Sequence, residues 1–337
     1  MNPAASACAE SLDGLPVWSA PADVGWSQAM LERACGLAAS LDTAALLVMA
    51  GGRVVTAWGS PGTAWNCHSI RKSLLSALIG IHEEEGRIDL EATLAAIGID
   101  DRLGLSETER QATVLDLLTA RSGVYHPSGY ESPWMKRIKP PRHSAAPGTC
   151  WVYNNWDFNA LGSVFRRATG ADVFEEFERR IARPLGMTDF VPARDGSYVE
   201  LEESEHPAYP FRMSARDLAR FGELFLRRGR WQARQIVPEA WVEASVLPYS
   251  AAGVRGAYGY MWWVARDGIL FPNAVLPPGS YAAVGTRGHF LVVVPALDAV
   301  IVHRVDTDRE GTSVSIGAFG KLLRLILAAA PGRGEEH

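Results

Sequence analysis

Cysteine is scarce. The 337 residues hold four, at Cys8, Cys35, Cys67 and Cys150, with no Cys-x-x-Cys pair and no zinc-like spacing. That excludes a disulfide framework and points to thiols kept reduced, as in the cytoplasm. No run of about 20 apolar residues is present, so no membrane-spanning helix is expected. The first residues lack a basic stretch followed by an apolar one, so no secretory leader is expected either. Charge of one sign is not concentrated anywhere. The net charge is -5 and the arginines are scattered, which gives no reason to expect a nucleic-acid partner. Oligomeric state leaves no mark on the sequence.

Familiar catalytic signatures are missing too. Gly-x-Ser-x-Gly is absent, which argues against the nucleophile elbow of an α/β-hydrolase. Gly320-Lys321 is no phosphate loop, because Ser315 and Leu322 stand where Gly and Ser/Thr are needed. The eight histidines include no His-Glu-x-x-His, and His82 beside Glu83 reads as a solvated helix face. We expect neither metal nor cofactor.

What is present is an ordinary globular composition, 47% hydrophobic and 21% charged, in a chain long enough for a large core. Residues 1–24 read as a loose lead-in, and 26–41 as a helix. Apolar runs at 44–50 and 53–58 flank Gly51-Gly52, a two-residue hairpin turn. Residues 86–211 are mostly helical and loop-rich, with helices expected at 107–120, 156–169 and 173–183. A helix capped by Ser214 follows, over 214–228. Strands are expected at 258–265, 280–286, 289–295 and 299–305, with a turn at 295–298, before a last helix over 313–329. This order fits an α+β fold: an antiparallel β-sheet flanked by N- and C-terminal helices, with a mostly helical lobe inserted. The sheet domain would comprise 25–85 and 212–330, and the lobe 86–211.

Lysine is the rarest charged residue, with four in the chain. One of them, Lys72, follows Ser69 by three places at the start of an amphipathic stretch running to about Glu84. On a helix that spacing puts both side chains on one face. Free N–H groups of the first turn point the same way. A hydroxyl, an amine and N–H donors in one place make a nucleophile with half an oxyanion hole. Standing alone, the pair reads better as a helix cap beside a solvated lysine.

Tyr-x-Asn occurs once, at Tyr153 and Asn155. A phenol beside an ammonium has its pKa lowered, and it can take and return a serine proton. Asn155 can donate to a substrate carbonyl while its oxygen holds Lys72. Between two strand-like runs stands Gly285-Thr286-Arg287-Gly288-His289-Phe290, where glycine lets a substrate approach a strand edge. The N–H of His289 is a second oxyanion donor on this reading. Arg287 and Gly288 complete the set of substrate-binding residues, with Arg121 a further source of polarity.

Ser-x-x-Lys, Tyr-x-Asn and a glycine-bearing strand block, in this order, resemble the serine β-lactamase and penicillin-binding-protein superfamily. The nearest likeness is to class C-like esterases, nylon-oligomer hydrolases and D-amino-acid amidases. Leu117-Leu118-Thr119-Ala120-Arg121-Ser122-Gly123 and Pro184-Leu185-Gly186-Met187 resemble two further segments of that family, so the likeness spans about 28–328. The resemblance implies Ser69 as acylated nucleophile, Lys72 as base or proton shuttle and Tyr153 as general base. It implies Asn155 as an orienting residue, and the N–H groups of Ser69 and His289 as oxyanion hole. The division of labour between lysine and tyrosine is left open.

Where β-lactamases carry Lys-Thr-Gly, this chain has Thr286-Arg287-Gly288. The lysine that helps hold a β-lactam carboxylate is missing, which argues against β-lactam turnover. Arg287 stands one place along and on a strand faces the other way. The implied function is hydrolysis of a small ester or amide through an acyl-enzyme. The alternatives are an acyltransferase or amide synthase passing the acyl group to an amine or alcohol, and a non-catalytic binding protein of the same fold. Residues 125–143, rich in rings and charges, are expected to overhang the site and set selectivity.

Overall fold

In the computed structural model, which describes residues 18–332, an eight-stranded antiparallel sheet organises the chain. Strands β1 (Thr43–Ala50) and β2 (Arg53–Gly59) form the first hairpin. Gly51 and Gly52 have φ 58° and 72°, as a tight two-residue hairpin turn demands. The other six strands come from the last third of the chain: β3 (Ser250–Ala251), β4 (Ala257–Tyr258), β5 (Trp263–Val264), β6 (Tyr281–Gly285), β7 (His289–Val294) and β8 (Ala299–Val305). Their order is β2-β1-β8-β7-β6-β5-β4-β3. The pairing of β1 with β8, Val48 opposite Ile301, closes the sheet from both ends of the chain.

The faces of β7 are covered by different helices, because successive strand residues point to opposite sides. Phe290 stacks on Phe319 of the helix α5 (Ile316–Ala328), with ring centroids 4.0 Å apart. Its neighbour Leu291 packs against Gly222 of the helix α4 (Ala215–Leu226), capped by Ser214 as the sequence suggests. The helix α1 (Gln28–Ala39) packs beside α5. Residues 86–211 are helices and loops apart from one short strand pair, Val199–Leu201 with Ser204–Ala208. The helix α2 (Arg71–Glu84) runs beside the helix α3 (Asn155–Thr169), and both bear on the site.

The structure corrects several local expectations. The strand expected at 258–265 is two strands, β4 and β5, folded back through a turn where Met261 has φ 61°. The helix expected at 107–120 is a 3₁₀ turn at Glu109–Gln111 and a helix at Val114–Leu118. The break is set by Thr113 and Asp116, whose side chains each bond the other's backbone N–H in a capping box. Part of the lead-in, 18–24, is tied down by a bridge from Trp18 to Val54 and a 3₁₀ turn at Pro21–Val24; the rest lies outside the described residues. His82 is not solvated. Helix α2 is buried on every side from Arg71 to His82, and the imidazole lies 2.9 Å from Glu176. Among the described residues no helix is long and apolar enough to cross a membrane.

Candidate active site

Ser69 lies in a 3₁₀ turn, His68–Ile70, that leads into α2. The backbone ahead of it is held in a rare conformation, with His68 at φ 48°. Several contacts impose that geometry. Asn66 Oδ1 accepts the His68 N–H at 2.8 Å, and His68 Nε2 lies 3.0 Å from Thr307 Oγ1. From β8, the buried Arg304 donates to the carbonyls of Trp65 (2.6 Å) and Asn66 (3.1 Å). Strain of this kind persists only where the surroundings over-determine it. Ser69 is therefore presented by the turn and does not cap the helix, whose N-terminus has no side-chain cap.

Lys72 Nζ lies 2.9 Å from Ser69 Oγ and 2.6 Å from Tyr153 Oη. The amine is 1% exposed, sits over the rings of Tyr153 and Phe158 at 4.2 and 4.4 Å, and has no carboxylate partner among the described residues. Burial holds its pKa well below the usual lysine value, and the Arg71 guanidinium depresses it further. Arg71 is fully buried, donates to Asn159 Oδ1 at 2.8 Å and stacks 4.2 Å over Tyr209, again without an acid. Positive charge is thus built in beside an amine whose own charge the site disfavours.

Tyr153 enters from the loop ahead of α3, fixed by Val152 N–H to Ala120 C=O (3.0 Å) and by the Asn154 cap on Trp156 N–H. Its ring packs among Phe158, Trp263 and Tyr258. The phenolate expected beside an ammonium is not favoured here. Burial raises the Tyr153 pKa, which favours the protonated phenol. Asn155 does not hold Lys72 either. Its Nδ2 donates to the Tyr130 carbonyl at 2.7 Å, and its Oδ1 is buried with no partner.

The strand that flanks Ser69 is β6, and the residue that meets its turn is Gly285. A Cβ on Gly285 would lie 2.5 Å from the Cys67 carbonyl, so only glycine lets β6 approach the turn that carries Ser69. The next residue, Thr286, lines the cleft, and its N–H has no acceptor among the described residues. The glycine that meets the turn carrying Ser69 therefore stands three residues earlier than the one the sequence reading singled out. His289 is buried at the start of β7, paired with Gly285 across the hairpin, its ring 5.0 Å from His68. Gly288, at φ 105°, gives its carbonyl to His303 Nδ1 at 2.7 Å, behind the strand. Arg287 turns away and binds the carbonyls of Thr307, Arg309 and Thr312. Arg121 is likewise spent on the Gly148 carbonyl and Ser250 Oγ. Ala283, two places ahead of Gly285, now occupies the position compared with the family's lysine.

A cleft of about 380 Å³ opens over Ser69, a size suited to a small molecule. Tyr130, Trp134 and Met135, from the stretch 125–143, form one wall. Trp263, Arg255 and Val284 form the other. Trp134 is 51% exposed at the mouth, whereas Trp156 and Trp262 are core. Tyr130 and Trp134 come from the stretch expected to overhang the site, whereas sequence reasoning missed Arg255. The one signal for Arg255 was its place between Gly253 and Gly256. No group of three or more His, Cys, Asp or Glu side chains is placed to hold a metal among the described residues.

Known proteins share this architecture. A putative 6-aminohexanoate-dimer hydrolase from Bacillus anthracis superposes with a TM-score of 0.64 at 22% identity, covering 87% of this chain and 81% of that one. The octameric penicillin-binding protein homologue from Pyrococcus abyssi gives 0.65 at 17% identity, covering 91% and 78%. A mutant simvastatin synthase from Aspergillus terreus gives 0.62 at 16% identity, covering 89% and 94%. At these identities the likeness establishes a shared β-lactamase/transpeptidase-like fold. The Beta-lactamase family model matches residues 31–313, most of the chain. The protein belongs to the Beta-lactamase family.

Proposed function

We propose that the chain is a serine hydrolase that cleaves a small ester or amide through an acyl-enzyme on Ser69. The observation that carries this reading is the buried, acid-free Lys72, with its nitrogen between Ser69 Oγ and Tyr153 Oη. A neutral amine at hydrogen-bond distance is a competent general base for a serine hydroxyl. As Ser69 attacks the carbonyl carbon, its proton passes to Lys72. The developing oxyanion lies between the N–H groups of Ser69 and Thr286. Lys72, now cationic in a site that disfavours its charge, drives the proton on through Tyr153 to the departing alkoxide or amine. Water then enters, gives its proton back along the same path and releases the acid.

An acyltransferase reading shares every step except the last, in which an amine or alcohol replaces water. The apolar side chains of Trp134, Met135 and Trp263 in the cleft support it, as does the fold shared with simvastatin synthase. Acyl-enzyme lifetime separates the two. Rapid deacylation with no acceptor present favours the hydrolase, and a long-lived acyl-enzyme discharged by an added amine favours the transferase. A purely binding role is disfavoured, because a buried lysine without an acid serves no such role and is costly to keep. Loss of the family's lysine supports slow or absent turnover of penicillins. Cys67 and Cys150, which form no disulfide among the described residues, support work in the cytoplasm.

A further inference from the structure

Past the end of β8 the chain forms a loop, 306–312, none of whose residues lines the cleft. One arginine holds it together. Arg287 Nε and Nη2 donate to the Thr312 carbonyl at 3.0 and 2.7 Å. Nη2 also donates to the Arg309 carbonyl at 3.0 Å, and Nη1 to that of Thr307 at 3.1 Å. In return the Arg287 carbonyl accepts the Val314 N–H at 3.1 Å. Thr312 Oγ1 closes the loop from within, 2.5 Å from the Asp306 carbonyl and 2.9 Å from that of Arg309. A guanidinium presents its donors in a rigid planar fork, so a loop bound to it through three carbonyls is held in one shape.

What the loop presents to the site is a hydroxyl. Thr307 Oγ1 lies 3.0 Å from His68 Nε2 and 3.3 Å from His289 Nε2, and the two rings are 5.0 Å apart. Burial pushes the His68 pKa down to about 4 and holds that of His289 well below 6.5, so both rings meet the hydroxyl uncharged at neutral pH. A second grip lies alongside. Asp308 accepts two hydrogen bonds from Arg212, at 2.9 and 2.5 Å. Arg212 in turn donates to the Ala64 carbonyl at 3.0 Å and pairs through its backbone with Asn66. The loop therefore fixes the segment 64–68 at both ends, and Ser69 follows directly.

These contacts join the neighbours of the two N–H groups proposed above for the oxyanion. Arg287 follows Thr286, and His68 precedes Ser69. We propose that Arg287, acting through Thr307 and His68, sets the separation of the Ser69 and Thr286 N–H donors. Arg287 and Thr307 are positioning residues, since neither touches the reacting atoms. Backbone at φ 48° is held uphill by its contacts, and without the Thr307 hydroxyl His68 relaxes, carrying the Ser69 N–H off its target. Stabilisation of an oxyanion depends on donors fixed in place before the charge develops. This inference rests on the acyl-enzyme reading, with Thr286 as the second donor.

The test compares phenyl acetate with O-phenyl thioacetate, in which the carbonyl oxygen is replaced by sulfur, a larger and poorer hydrogen-bond acceptor. Each kcat/KM is divided by the ester's own rate of hydroxide hydrolysis. Wild type is expected to favour the oxygen ester by about 10²-fold or more, the worth of an oxyanion donor. In Thr307→Val and in Arg287→Gln that preference should shrink by about 10-fold or more, while Thr307→Ser, which keeps the hydroxyl, retains most of it. The readout is a ratio within one protein, so a general loss of activity or of folded enzyme does not mimic it. Thr307→Val is nearly isosteric and carries the test if Arg287→Gln does not fold. A wild-type preference kept intact in Thr307→Val, or equal slowing of both esters, overturns the proposal and leaves the hydrolase reading standing. If Ser69 takes no fluorophosphonate label and neither ester turns over, the acyl-enzyme reading itself fails, and this proposal with it.

Discussion

Lys72 and Tyr153 are joined at 2.6 Å in a pocket that disfavours the charge of either one. Moving a proton from the phenol to the amine would create an ion pair where burial penalises both ions, so the pocket favours the neutral pair. The order of events follows from that. In the mechanism proposed above, lysine is then the first base, and tyrosine is a relay that gains importance as the leaving group departs.

Replacing Lys72 with arginine is expected to lower kcat/KM by about 10²–10⁴, the usual worth of a general base. Arginine holds its proton at all working pH values and cannot accept one from Ser69. In wild type, kcat/KM should rise with pH through the depressed lysine pKa, well below the ordinary 10.5, and then level off. Lys72→Met should lose the same activity without lowering the urea midpoint, because no buried acid is left behind. A large drop in that midpoint would contradict the account of an unpaired, neutral amine.

Tyr153→Phe should separate substrates by leaving group. An amide, whose nitrogen must be protonated to leave, is expected to slow by about 10²–10⁴. A nitrophenyl ester, whose phenolate leaves without help, should slow much less. Equal losses on both would place Tyr153 in substrate positioning and not in the relay.

Gly285→Ala brings a Cβ against the Cys67 carbonyl, with no flexible side chain to give way. A cost of about 1–3 kcal/mol in stability is expected from such overpacking. The larger effect should fall on chemistry, since a shift of about 1 Å between Thr286 and Ser69 costs on the order of 10²-fold. Acylation by a nitrophenyl ester in stopped flow measures it. Retained acylation rates would show that Thr286 is not an oxyanion donor.

His303 predicts a pH effect on stability. It is fully buried between the Gly288 carbonyl (2.7 Å) and Thr43 Oγ1 (2.9 Å), and burial lowers its pKa from 6.5 to about 4. Between these values the unfolded chain binds a proton that the folded one does not. Stability therefore falls as pH drops from 6.5 toward 4, by up to about 1.4 kcal/mol per pH unit from this residue. Urea midpoints of wild type and His303→Gln across that window test this. The variant should show the shallower slope, whatever its stability at pH 7.

The periods of hydrophobicity and the turn residues made much of the fold readable. Gly51-Gly52 and 295–298 mark hairpins between apolar runs, and Ser214 marks a helix start. Where reading failed, tertiary contacts had overridden local pattern. His82 looks solvated beside Glu83, but α2 is enclosed on all sides and Glu176 waits 94 residues away. In the site, Ser69, Lys72 and Tyr153 were found by residue type and spacing, and the fold brings them together. The glycine block was placed one turn late because two glycines, Gly285 and Gly288, compete in sequence. Only the close approach to Cys67 tells them apart. Arg255 was missed, since its one signal was a place between Gly253 and Gly256.

The most direct measurement is intact-protein mass after exposure to a fluorophosphonate and a p-nitrophenyl ester, with a penicillin in parallel, on wild type and Ser69→Ala. The account predicts a single covalent adduct confined to wild type, with ester turnover and little or no penicillin hydrolysis. An adduct that persists in Ser69→Ala, or a folded wild type that takes no label from any probe, would contradict it.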